Sequence, residues 1–246
     1  MRLSTMRFAL RDFVHHLAWF LVPSPTPCHL CGLPRVTQDH SLWCHSCYQS
    51  LSSDCLCPRC GLQLAAEEDL CGQCLLQPPY WQRLYCLGDY QFPLDQYIHK
   101  LKYQQQPYFA NDLAALLAKR IDTPAAVMIP VPLFWRRQWQ RGYNQSELIA
   151  RALSQRLGNR TVNALKRTRH TQVQRGLTRK ERQKNLQGAI ALLPSCRALP
   201  SHVALVDDVV TTGSTLNAIC PLLFECGVKK IDIYCICRTG DPRSKC

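Results

Sequence analysis

Two groups of residues in this chain have the types and spacing to do chemistry. The first is Val203 to Thr215, reading VALVDDVVTTGST. Val203 to Val206 predict a strand buried on both faces that ends at two adjacent carboxylates, Asp207 and Asp208. The carboxyl end of such a strand is where open α/β sheets bind ligands. The turn that follows, Thr211, Thr212, Gly213, Ser214 and Thr215, is rich in hydroxyls and leads into a helix. Unpaired N–H groups at a helix start, with the positive end of its dipole, suit an anion. Two acids facing a phosphate would repel it, but they can accept hydrogen bonds from sugar hydroxyls a few ångströms away. The expected ligand is therefore a ribose carrying a 5'-phosphate. Neither G-x-x-x-x-G-K-[ST] nor G-x-G-x-x-G occurs here, which argues against a nucleotide P-loop and a dinucleotide fold.

The second group is four C-x-x-C pairs: Cys28/Cys31, Cys44/Cys47, Cys57/Cys60 and Cys71/Cys74. Each pair holds two thiolates on one side of a tight turn, and two pairs complete a tetrahedral zinc site. Sequential pairing puts Cys28, Cys31, Cys44 and Cys47 on one zinc and Cys57, Cys60, Cys71 and Cys74 on a second; an interleaved cross-brace uses the same pairs. With all positions filled by protein, the zincs are structural. Redox-active pairs are the alternative, although four in a row have no redox rationale. Cys55, His29 and His45 read as bystanders.

These groups need elements to hold them. At 246 residues the chain has room for one ordinary domain and a smaller module. Residues 28–79 are rich in Cys, Gly and Pro, so they cannot bury a core of their own and need a staple. From Tyr80 onward, Val127 to Val131 reads as a buried strand, Gln145 to Leu157 as a helix with Leu148, Ile149, Ala152 and Leu153 on one face, Ser214 to Cys226 as a helix and Ile231 to Cys237 as a strand. That alternation predicts a parallel α/β sheet with right-handed crossovers and helices on both faces. The organisation is thus an N-terminal extension with a candidate helix (1–27), a double zinc ribbon (28–79) and an α/β domain (80–246). Phe13 to Val22 is too short to span a bilayer, His15 and His16 interrupt it, and Pro23, Pro25 and Pro27 follow in place of a cleavage pattern, so neither a membrane segment nor a signal peptide is expected.

The net charge of +13 is concentrated: residues 135–190 hold 14 Lys/Arg against 2 acids. The local positive field attracts phosphates, whether of a metabolite or of nucleic acid. The remaining cysteines lack framework spacing, which fits a reducing cytosol.

VDDVVTTGST resembles the motif by which type I phosphoribosyltransferases bind phosphoribosyl pyrophosphate (PRPP). Together with IHKLKY (Ile98 to Tyr103), PVPLFWRRQWQRGYNQSELIA (Pro130 to Ala150), RTRHTQVQRGLTRKERQKNLQGAI (Arg167 to Ile190) and the paired C-x-x-C units, it makes the chain resemble the ComF/GntX family from about Cys28 to Arg238. That likeness implies a phosphoribosyltransferase fold behind a double zinc ribbon, in proteins tied to competence and the use of external DNA. It also implies that Asp207 and Asp208 hold the ribose hydroxyls and Thr211 to Thr215 the 5'-phosphate. Arg136, Arg137, Arg141 or Lys102 would approach the pyrophosphate and its Mg²⁺. The segment from Arg167 to Asn185 would be a hood bringing Arg175, Arg179 or Arg182 to the pyrophosphate. The implied setting is cytoplasmic, with single-stranded DNA and the uptake machinery as partners. A nucleobase-salvage transferase and a PRPP-sensing adaptor remain open, since no residue specifies an acceptor.

Overall fold

A computed structural model of the chain describes residues 27–35, 43–50, 56–64, 70–169 and 188–240. The N-terminal extension before Pro27, Cys55 and the basic stretch 170–187, with Arg175, Arg179 and Arg182, lie outside the described residues.

The α/β part is built on parallel strands β1 (Arg83–Tyr85), β2 (Gly88–Asp89), β3 (Val127–Pro130), β4 (Arg160–Thr161), β7 (His202–Val210) and β8 (Lys230–Arg238). Their order is β1-β8-β7-β3-β4, with β2 also on β8. A short antiparallel pair, β5 (Leu165–Arg167) and β6 (Ile190–Leu192), stands apart and flanks the basic stretch.

Alternation along the strands sends apolar side chains to both faces. Met128, Ala204, Val206, Tyr234 and Ile236 pack beneath helices α3 (Leu94–Tyr103), α4 (Phe109–Ala118) and α6 (Gln145–Leu157). Val127, Ile129, Val203, Leu205, Ile231 and Ile233 face α7 (Ser214–Glu225) through Leu216, Ile219 and Leu223. Each fully buried Leu or Ile stabilises the fold by roughly 1.5–3 kcal/mol, offset by chain ordering. A sheet covered on both sides is what the continuous apolar runs demand.

Helix α6 keeps the predicted bounds. Asn144 caps it by accepting from the Ser146 N–H at 3.2 Å, and Gly158 closes it in the left-handed region. One expectation is corrected. β7 does not end at Asp207 but runs through both acids to Val210, because β8 extends alongside and pairs Asp207 with Cys235 and Val210 with Arg238.

The cysteine-rich segments fold as two equivalent knuckles, each followed by a one-turn helix: α1 (His45–Gln49) and α2 (Gly72–Leu76). In the first, the Cys28 N–H donates to Leu33 O and the Gly32 N–H to Cys28 O. In the second, Cys57 donates to Leu62 O and Gly61 to Cys57 O. Trp43 is 1% exposed and belongs to the core beneath α3 and α4, so residues before Tyr80 contribute to the main core.

Candidate functional site

At the carboxyl end of the sheet, between β3 and β7, lies a cavity of about 360 Å³. Asp207 and Asp208 are on one wall, and Thr211 and Thr215 are at the turn. Lys102 comes from the last turn of α3, Arg141 and Arg137 from the short helix α5 (Trp135–Arg141), Ser146 from the first turn of α6 and Arg167 from β5. Four cations thus face two carboxylates, an arrangement for a ligand more highly charged than a single phosphate. A second cavity of about 650 Å³ adjoins it, sharing Lys102, Tyr103, Arg137 and Arg141.

The two acids have different partners. Asp208, 8% exposed, pairs with Lys102 Nζ at 3.0 Å. Asp207 accepts from Ser146 Oγ at 3.0 Å and from the Asp208 N–H at 2.9 Å. Burial, and then the Asp208 carboxylate, push Asp207 up to about 7, against the pull of Lys102 and the two donors. Burial works against charge on Lys102, but Asp208 and Asp207 overcome it and hold the ammonium above its usual value. Burial and the nearby Arg137 guanidinium both lower Arg167. The site carries its acids and cations as a coupled set.

Among the residues expected to bind, Lys102, Arg137, Arg141, Asp207, Asp208, Thr211 and Thr215 line this cavity. Arg136 does not; its guanidinium lies 5.2 Å from the centre of the exposed Trp135 ring. Successive helical residues point about 100° apart, and here Arg137 turns into the cavity while Arg136 turns away from it. Thr212 and Gly213 line a groove behind the turn. Ser214 is buried and lines neither cavity nor groove: its hydroxyl and that of Thr212 bond each other at 2.7 Å, and Thr212 Oγ1 accepts from the Ser214 N–H at 3.4 Å. Gly213 has φ +69°, which is why a glycine stands there. Sequence reasoning missed Ser146 and Asn144 as cavity residues, and it placed Arg167 in the basic segment without a wall position. Asn144 Nδ2 donates to Val131 O at 3.0 Å and so ties α6 to the end of β3.

The cysteines assemble sequentially, not interleaved: Cys28, Cys31, Cys44 and Cys47 form one cluster and Cys57, Cys60, Cys71 and Cys74 the other, with the sulfurs of each within 4.8 Å of one another. Cys31 and Cys44 sulfurs are 3.8 Å apart, and Cys60 and Cys71 sulfurs 3.6 Å. Zinc–thiolate bonds of about 2.3 Å in a tetrahedron require about 3.8 Å between sulfurs, so both sets fit a structural zinc. Burial raises Cys28, but the N–H groups of Cys31, Cys44 and Leu30 outweigh it and bring the thiol down to about 6. Cys57 falls to about 7 in the same way, against burial, under the N–H groups of Cys71, Cys60 and Arg59. Each knuckle thus has one thiol poised to ligate as thiolate.

Comparison with known proteins bears on both parts. Residues 144–245 match the family model of the phosphoribosyl transferase domain. Competence protein F of Haemophilus influenzae is 42% identical over 206 residues, covering 79% of this chain and 90% of its own. DNA utilization protein YhgH of Escherichia coli O6:H1 is 40% identical over 227 residues, covering 87% and 98%. Competence protein ComFC of Bacillus subtilis is 27% identical over 126 residues, covering 48% and 47%.

Proposed function

The chain belongs to the ComF/GntX family, with competence protein F and DNA utilization protein YhgH among its relatives, and from that premise we propose that it binds PRPP with Mg²⁺ and acts in the cytoplasm in handling external DNA. The observation that carries the ligand assignment is the pairing of two acids with four cations in one cavity at the carboxyl end of β7. Asp207 and Asp208 accept the ribose hydroxyls, with Lys102 and Ser146 keeping both carboxylates in place until the sugar arrives. The Thr211 to Thr215 turn, at the start of α7, takes the 5'-phosphate on its N–H groups and on the Thr211 and Thr215 hydroxyls, the two that line the cavity. Lys102, Arg137, Arg141 and Arg167 face the pyrophosphate, where guanidinium groups give bidentate, permanently charged contacts.

Calorimetry with PRPP and Mg²⁺ tests this. Binding by the wild-type chain that is lost in Asp207→Asn with Asp208→Asn is the expected result; no heat from wild type, or unchanged binding in the double variant, overturns it. Pyrophosphate release with a panel of nucleobases would move the assignment to a salvage transferase.

The nucleic-acid part of the reading has its own support. Helix α5 exposes Trp135 and Trp139, 59% and 86%, with the Arg136 guanidinium over the face of the first. Aromatics interleaved with arginines are a stacking platform for single-stranded nucleic acid. Single-stranded DNA affinity should fall steeply with salt and weaken in Trp135→Ala with Trp139→Ala. A flat salt response counts against it. Among the described residues no helix is long and apolar enough to cross a membrane.

A further inference from the structure

The second knuckle touches the phosphate turn from behind, and the contacts are specific. Trp81 is 3% exposed, and its Nε1 donates to Arg59 O, inside the Cys57/Cys60 knuckle, at 2.6 Å. Arg59 Nε donates back to Trp81 O at 3.3 Å. The far edge of that indole fills the space beside Gly213: a Cβ there would stand 2.7 Å from Trp81 Cη2. Arg238, at the end of β8, makes the second link. Its Nε donates to Cys60 O at 2.9 Å, and its Nη1 donates to Val210 O at 3.2 Å and Thr239 O at 2.8 Å. Val210 is the last strand residue before Thr211, and Thr239 lines the ligand cavity. One guanidinium therefore joins a cysteine carbonyl of the metal knuckle to the backbone on which the phosphate turn hangs.

Among the described residues the knuckle's own apolar packing is small. Its own buried cluster is Cys57, Cys60 and Cys74, with Leu62, Leu64, Leu70 and Cys71 packed around them. A bound metal would supply what that cluster cannot, tying Cys57 and Cys60 to Cys71 and Cys74.

We infer that Trp81 and Arg238 are positioning residues through which the Cys57/Cys60/Cys71/Cys74 metal site sets the shape of the Thr211 to Thr215 turn, so that loss of this metal releases the 5'-phosphoribosyl ligand. The ligand half rests on the PRPP reading above; the brace itself does not. The chemistry is conformational. With Cys60 free to move, Arg238 keeps Val210 and Thr239 but loses its anchor, and the indole no longer backs Gly213.

Hydrogen exchange of the full-length, zinc-loaded protein reads the brace without any ligand. In Arg238→Gln and in Trp81→Leu, both metals should remain by elemental analysis, while amides of Thr211 to Thr215 exchange about tenfold faster or more, as loss of charge-assisted bonds or of a buried backing predicts. PRPP affinity should drop by about the same factor. Arg238→Lys should not restore protection, since one ammonium cannot reproduce the fork that spans Cys60 O and Val210 O. Cys74→Ser should lose one metal and show the same loosened turn. Trp43→Phe, which perturbs the first knuckle's anchor, should leave turn exchange at the wild-type rate. Wild-type turn exchange in both Arg238→Gln and Trp81→Leu with both metals bound overturns the brace. A loosened turn in these variants, combined with a wild type that binds no PRPP, upholds the brace and overturns the ligand reading.

Discussion

The two cysteine knuckles are near copies in backbone and differ in what they lean on. Both have a donor pair closing the turn, a left-handed glycine after the second cysteine, at φ +74° for Gly32 and +71° for Gly61, and a short helix whose N-cap and third residue are the remaining cysteines. The first docks on helices. Trp43 packs its ring tilted against that of Tyr97, centres 5.2 Å apart, and donates to its hydroxyl at 3.0 Å, and the Tyr48 hydroxyl donates to Leu116 O at 3.3 Å. The second docks on the sheet and on the Thr211 to Thr215 turn, through the Leu84 N–H to Pro58 O at 2.9 Å and through Trp81 and Arg238. The same metal-ready unit thus has two jobs, set by its neighbours: one knuckle closes the core and the other backs the site. A module too small for its own core gains a role from the surface it covers.

The largest way to break that comparison is at Trp43. Trp43→Ala removes a fully buried indole from the helical core and should cost about 3–5 kcal/mol in denaturant unfolding. A loss under about 1 kcal/mol would mean that the first knuckle is not part of the core. Next comes a matched pair of glycines. In Gly32→Ala the new Cβ meets nothing within 4 Å, whereas in Gly61→Ala it meets Leu84 Cδ2 at 2.7 Å and Cys86 Sγ at 3.3 Å. Both pay the left-handed penalty of about 1–2 kcal/mol. Only Gly61→Ala should add a packing cost, of about 1–3 kcal/mol. Equal losses in thermal unfolding would erase the distinction between the knuckles.

What could be read from sequence follows from where the information sits. Val203 to Val206 and Ile231 to Cys237 were legible because strands buried on both faces are mostly apolar, with Asp232 the one acid in the second run, and the acid pair with its hydroxyl turn was legible because those residues are consecutive in the chain. The eight cysteines were legible because ligand spacing is local. Contacts made by topology were not. Ser146 reaches Asp207 only because α6 begins beside the end of β7, and 61 residues separate them. Arg238 to Cys60 spans 178 residues. The continuation of β7 past its acids was hidden because two carboxylates look like a strand's end, and only the nine-residue partner β8 makes the longer ladder worthwhile. Arg136 and Arg137 look interchangeable in a row of basic residues; helical geometry separates them.

A smaller effect tests the first knuckle's edge. Tyr48→Phe removes the hydroxyl that donates to Leu116 O and accepts from Arg120 Nε at 3.4 Å, and it keeps the ring. The expected loss is about 0.5–1.5 kcal/mol, with turn exchange and PRPP binding unaltered. A fall in PRPP affinity would connect the first knuckle to the site and blur the division.

The last effect is a slope, and it belongs to the site that the second knuckle backs. Asp207 ionises from its ordinary 3.8 when unfolded and at about 7 when folded, raised by burial and by Asp208. Between those values the folded chain keeps a proton that the unfolded chain has lost. The carboxyl's contribution to stability is therefore complete below about pH 3.8 and is lost as pH rises through about 7. Asp207→Asn removes the titration, so thermal midpoints measured without ligand should decline less across this range and lie above wild type at about pH 8. An unchanged slope would show that Lys102 and Ser146 already compensate the buried charge. If the slope flattens while the turn keeps its exchange rate, the strain of the ligand-free site lies in the acids alone. The second knuckle then acts on the Thr211 to Thr215 turn and not on the acid pair.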